Sequence, residues 1–184
     1  MEFQSLNKLF LDRAEENSNN PFLWSKISKE WKSLTWNETL GKVKEFSSGL
    51  KSHGIKPGDR IVIVSENRPE WIIADLAITL LGGITVPAYT TNTEDDHHYI
   101  LEHSGAKAVI ISNNILGNRL ALATTRTKDC KLLITIDNYN GFEPEDLNIL
   151  NFEEVCIFGK NTIESSLDYL DKIKPDDTSC IIYT

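Results

Sequence analysis

The sequence predicts an α/β fold on a doubly wound, mainly parallel sheet, entered through a helix–hairpin–helix segment. Three observations carry this. Short runs of almost wholly apolar residues recur from Asp59 onward, such as Arg60 to Ser65 and Lys131 to Ile136. They have the length and composition of strands buried on both faces. Helix-length stretches separate them, the alternation expected of right-handed βαβ units. Residues 1–58 lack that alternation and read as helix, hairpin, helix. Residues 59–184 read as a parallel α/β subdomain.

The elements follow in order. Leu6, Leu9, Phe10 and Ala14 recur at helical spacing, so residues 5–16 form an amphipathic helix that Ser18 to Pro21 ends. Phe22 to Ile27 and Trp31 to Trp36 flank the polar turn Ser28 to Glu30 and predict a hairpin. Thr35 or Asn37 caps a helix over 37–53, with Leu40, Val43, Phe46 and Leu50 on its apolar face. His53-Gly54 closes it and Pro57-Gly58 turns the chain.

Strands are predicted at 60–65, 84–89, 108–112, 131–136 and 179–183, with helices over 69–82, 94–104, 114–127 and 160–172. Pro69 suits a first helical turn and Gly82-Gly83 the far end. Trp71, Ile72, Ile73, Leu76, Ile78, Leu80 and Leu81 cover nearly every face of helix 69–82, so it is expected to be buried. Residues 137–153 read as polar and irregular. Trp24, Trp31, Trp36 and Trp71 read as packing residues rather than a ligand cage.

Composition bounds the function. Charged residues make up 25% and hydrophobic ones 40%, which fits a globular domain. The formal net charge is −8 and the isoelectric point near 5.0. With no Lys/Arg block, that disfavours nucleic acid, which needs a basic face. Cys130, Cys156 and Cys180 match neither a zinc spacing nor an even disulfide framework, so free thiols in a reducing cytoplasm are expected. The apolar stretch Ile72 to Ile84 is too short to span a bilayer and contains Asp75. No signal peptide is expected, and membrane contact would be at most peripheral.

The turns after the strands carry neither GxGxxG nor GxxxxGK[ST], which weighs against a dinucleotide site of the Rossmann type. Glu94, Asp95, Asp96, His97, His98 and His103 invite a metal reading. Thr93 as N-cap with first-turn carboxylates explains the acids better, and adjacent histidines point about 100° apart on a helix. No metal site is expected. Glu66, Arg68 and Glu70 lie just past a strand's carboxyl end, where open α/β sheets bind ligands. The plainer reading there is helix entry, with Glu70 near the positive terminus and Arg68 solvated. No Ser/His/Asp or Cys/His constellation follows from spacing, so no catalytic residue is assigned.

Three stretches together carry a family resemblance: GDRIVIVSENRPEWIIADLAITLLGGITVPAYTTNT (Gly58 to Thr93), YILEHSGAKAVIIS (Tyr99 to Ser112) and PDDTSCIIYT (Pro175 to Thr184). With SLTWNETLGKVKEFSSGLKSHGIKPGD (Ser33 to Asp59), the chain resembles the N-terminal part of an AMP-forming acyl-CoA synthetase of the long-chain fatty-acid CoA ligase group. The resemblance implies a parent enzyme that joins a fatty acid to ATP with Mg2+ as an acyl-adenylate, then passes the acyl group to CoA. Tyr183 and Thr184 would open the ATP phosphate loop, and Thr184 is its one candidate cofactor-binding residue here. The Ser-Gly-Thr-Thr-Gly continuation, the magnesium ligand and the catalytic lysine of the family have no counterpart within 1–184, so this chain alone is expected to be inactive and to hold none of these cofactors. A stand-alone nucleotide- or acyl-binding domain is one alternative, and an interaction module pairing with an intact ligase or a homodimer is another. In the family, the first segment packs on a sheet encoded later. Residues 1–58 are therefore expected to be incompletely buried.

Overall fold

In the computed structural model, which describes residues 5–162 and 167–184, the chain runs α1 (Leu6–Asn17), β1 (Pro21–Ile27), β2 (Glu30–Thr35), α2 (Trp36–Ser52), β3 (Arg60–Val64), α3 (Pro69–Leu80), β4 (Ile84–Pro87), α4 (Glu94–Ser104), β5 (Ala108–Ile111), α5 (Asn114–Thr125), β6 (Leu132–Thr135), β7 (Asn148–Asn151) and α6 (Phe152–Lys160). β1 and β2 form an antiparallel hairpin. β3 to β7 form one sheet in the order β4-β3-β5-β6-β7, parallel throughout. The chain steps from β3 to β4 on one side, then returns past β3 to β5. That reversal is the doubly wound order with its switch point between β3 and β5.

Alternation along each strand divides the core. Ile61, Ile63, Ala108, Ile110, Leu132 and Ile134 meet α1, α2, α3 and α6. Val62, Val64, Val109, Ile111 and Leu133 point the other way, onto α4 and α5. Most of these side chains are wholly buried. Each buried Val, Leu or Ile contributes roughly 1.5–3 kcal/mol over exposure, which is why the strands read as unbroken apolar runs.

α2 differs from the expectation for residues 1–58. Thr35 and Glu38 close its N-terminus in a capping box. Val43, Phe46 and Leu50 are then buried within this chain, beside α3 and α6. Phe46 stacks on Phe152 of α6 with centroids 4.0 Å apart. Residues before 184 thus supply the partner surface that was expected from later sequence. The hairpin does stay open: Trp24, Ile27 and Trp31 are exposed, whereas Trp36 and Trp71 pack on the core as expected.

Three further sequence expectations are corrected. Residues 137–153 hold β7 and the start of α6, with Asn151 and Glu154 forming that helix's capping box. Only Ile149 and Leu150 of β7 are apolar, so this edge strand has no run to betray it. The helix expected over 160–172 is instead α6 ending at Lys160 and a 3₁₀ turn at Leu170–Lys172; residues 163–166 lie outside the described residues. The strand expected at 179–183 is a single parallel bridge, Thr85 to Cys180, on the β4 edge. Thr85 N–H donates to Ser179 O and Ile181 N–H donates to Thr85 O, each at 3.0 Å. The next bond of that ladder would need an N–H from Pro87, which has none. The described sheet's fifth strand is therefore β7.

Candidate functional site

The carboxyl ends of β3, β5 and β6 open at the switch point, and the chain places its polar residues there. Glu66 follows β3. Asn113 donates from Nδ2 to Glu66 Oε1 at 3.2 Å. The Ser112 hydroxyl also donates to Glu66, and that bond is the main reason the Glu66 carboxyl lies below its ordinary pKa. Ser112 is fully buried, and its carbonyl accepts from Asp137 N–H after β6 at 3.0 Å. Three strand exits are thereby tied together.

Arg68 is the N-cap of α3 in extended backbone, with Pro69 behind it and no side-chain cap bond. Its guanidinium bridges Glu70 Oε2, 2.8 Å from Nε, and Asp137 Oδ1, 3.0 Å from Nη1. Burial works to lower the Arg68 pKa, but the two carboxylates outweigh it and raise the value. The sequence reading of a solvated Arg68 is corrected: it is a half-buried tie between α3 and the β6 exit. Glu66, Arg68 and Glu70 do converge. Ser112, Asn113 and Asp137 complete the cluster and were missed, although each directly follows an apolar strand run, where the carboxyl-end rule looks.

The electrostatics limit what this edge can do. One arginine stands against Glu66, Glu70 and Asp137, so the cluster is acidic and its cation is occupied. Arg119 donates to the carbonyls of Thr90 at 3.2 Å and Asn92 at 2.6 Å, which pins the loop after β4. Arg68 is thus offset by two carboxylates, while Arg119 holds its two neutral carbonyls through Nη1 alone. The edge offers carboxylate acceptors and a preformed crevice.

The last residues run beside β4. The parallel Thr85–Cys180 bridge directs the following chain toward the carboxyl ends of the strands. At about 4.8 Å per strand spacing, that path lies about 10 Å from β3. The Tyr183 side chain turns back from that course: its hydroxyl lies 2.8 Å from His103 Nδ1 in the last turn of α4, next to Ser104, whose carbonyl accepts from Arg60 at the amino start of β3, and its ring meets Tyr99 edge-on at 6.0 Å. Thr184 is exposed beyond Tyr183. The Tyr183–His103 pair was not foreseen, because the two residues are 80 apart in sequence.

The acidic and histidine-rich start of α4 is structural. Thr93 and Asp96 make a reciprocal capping box. Glu94 and Asp95 pair with Arg126 at 3.0 and 2.9 Å. His97 turns into the core. Among the described residues, no group of three or more His, Cys, Asp or Glu side chains is arranged to hold a metal ion. Cys130 and Cys156 are buried free thiols, each pushed up to about 12 by desolvation, and Cys180 is free and exposed. No described helix is long and apolar enough to cross a membrane.

Comparison with known proteins places this geometry. The chain is 24% identical over 193 residues to the peroxisomal long chain acyl-CoA synthetase 7 of Arabidopsis thaliana, covering 100% of this chain and 27% of that protein. It is 38% identical over 80 residues to the long-chain-fatty-acid–CoA ligase FadD15 of Mycobacterium tuberculosis, covering 44% of this chain and 13% of the relative. The chain thus spans about a quarter or less of these relatives. Among solved structures, coronafacic acid ligase from Pectobacterium brasiliense superposes with a TM-score of 0.78 at 24% identity, over 96% of this chain and 33% of that one. VinN superposes with a TM-score of 0.75 at 17% identity, over 100% and 43%. These likenesses show a shared fold, with this chain matching about a third to two fifths of each solved chain. The family model described as AMP-binding enzyme matches residues 10–184, and the chain belongs to that family.

Proposed function

We propose that this chain is the N-terminal portion of an ATP-dependent fatty-acid CoA ligase. In that reading it forms the α/β subdomain that delivers Tyr183 and Thr184 to the phosphate loop, and it is inactive alone. The parent uses ATP, Mg2+, a fatty acid and CoA in a cytoplasmic setting. The observation that supports this most is the course of the final segment, laid parallel beside β4 and so directed toward the carboxyl edge. The fatty-acid assignment draws on the named activities of the relatives. Residues 1–58 are proposed to belong with a larger N-terminal domain and 59–184 with the truncated subdomain.

The chemistry explains why this portion does not act alone. Acyl-adenylate formation needs charge stabilisation on the phosphates while the carboxylate attacks. Here the charge of Arg68 is already offset by Glu70 and Asp137. Magnesium would neutralise phosphate charge in the parent, and this chain's own part is to fix the crevice and orient the start of the loop. Calorimetric titration of the purified chain with MgATP, and separately with oleate, is expected to show no saturable binding. Saturable ATP binding lost in Thr184→Ala or Glu66→Gln would replace the proposal with a stand-alone binding domain. Tight association with an intact ligase, with no ligand bound, would favour an interaction module.

A further inference from the structure

We propose that the β1–β2 hairpin is a docking surface for a bilayer rich in anionic lipids. The hairpin is anchored at its root and free at its tip. Phe22, Leu23, Leu34 and Trp36 pack against the core. Phe22 and Trp36 stack with centroids 3.7 Å apart. Trp24, Ile27 and Trp31 belong to neither core cluster and are 55%, 50% and 66% exposed. The register pairs Trp24 with Ser33 and Lys26 with Trp31. Directly opposed residues share a face, and so do residues two apart in one strand. Both indole rings and Lys26 therefore project from the same face.

Charge selects the occupant. Lys26, Lys29 and Lys32 stand against Glu30, a local charge of +2 on a chain whose total is −8. All four are exposed. The molecule therefore concentrates positive charge where it also exposes its largest apolar rings. Indole suits the headgroup level of a bilayer, with an apolar body and one N–H donor. Lysine stems lie along apolar surface while their ammonium groups reach anionic headgroups. A second copy is a poorer match, because this face carries Lys26 and no carboxylate, so a two-fold contact of it with itself brings like charges together. Ser28 and Lys29, at φ 51° and 73°, make the tight two-residue turn that keeps the tip narrow. Ile27, opposite Glu30, lies on the other face beside the turn, so the tryptophan face is the one laid on the bilayer. The inference is independent of whether the parent activates fatty acids.

Vesicle sedimentation of the purified chain tests it. Binding is expected to phosphatidylcholine vesicles containing phosphatidylglycerol, with at least about tenfold weaker binding to pure phosphatidylcholine. Added salt should weaken it further. Trp24→Ser with Trp31→Ser, and separately Lys26→Glu with Lys32→Glu, should each abolish sedimentation while leaving the circular dichroism and melting profile unchanged, since these positions touch no core. Equal binding to both vesicle types, no binding to either, or loss of a concentration-dependent dimer in the tryptophan variant would each overturn the proposal.

Discussion

Gly159→Leu is expected to unfold this protein or leave it marginally stable, a loss of roughly 3 kcal/mol or more. The reason is the distance between two helix backbones. A Cβ placed on Gly159 would sit 1.8 Å from Glu45 O and 2.5 Å from Gly49 N. On the facing helix, a Cβ on Gly49 would sit 2.0 Å from Val155 O. The obstacles are main-chain atoms, so no rotamer change relieves them, and α2 and α6 would have to separate. Separation would open the Phe46–Phe152 stack, whose rings are almost fully buried. Urea denaturation reads the effect directly. A midpoint equal to wild type would mean that α6 does not pack on α2 as described. Ala at the same position should produce a smaller loss of the same sign, and Gly41→Ala, with open space around it, should produce none of that loss.

Acid should cost the fold about 3 kcal/mol through His97 alone. His97 is 1% exposed, and neither ring nitrogen has a hydrogen-bond partner among the described residues. Desolvation, with Arg119 nearby as a second cause, lowers its pKa from 6.5 to about 4, against a smaller opposing pull from Asp96. The unfolded chain therefore takes up a proton between pH 6.5 and 4 that the folded chain refuses. The stability that neutral His97 confers is complete above about 6.5 and drains away as pH falls toward 4, about 2.5 kcal/mol of it by pH 4.5. Unfolding free energies at pH 7 and 4.5 should differ by that much more in wild type than in His97→Leu. Identical slopes in the two proteins, or a His97 resonance titrating near 6.5, would remove the prediction.

The sequence showed the sheet better than its closure. Runs such as Arg60 to Val64 are apolar because both faces are covered, so strand and environment are read in one signal. β7 carries polar Asn148 and Asn151 at its ends and lies at the edge, so no such run marks it. Pro87 stops the last bridge from becoming a strand, a limit set by the neighbouring strand rather than by residues 179–183. The place of α2 turned on α6, a short helix that starts inside a stretch read as irregular. The site was half legible. Glu66, Arg68 and Glu70 stand next to a strand end in sequence. Their partners Ser112, Asn113 and Asp137 come from two other strands, and only the order β4-β3-β5-β6 brings them together.

The proposed function assigns a division of labour, in which these residues shape the crevice and groups beyond them carry the phosphate charge. Fatty-acid-dependent exchange of labelled pyrophosphate into ATP tests this most directly, because it reports adenylate formation without requiring CoA. With Mg2+, ATP and palmitate or oleate, the purified and folded chain is predicted to show no exchange above the acid-free control. Acid-dependent exchange that disappears in Glu66→Gln or Thr184→Ala would contradict it, and would make these residues a complete adenylating site.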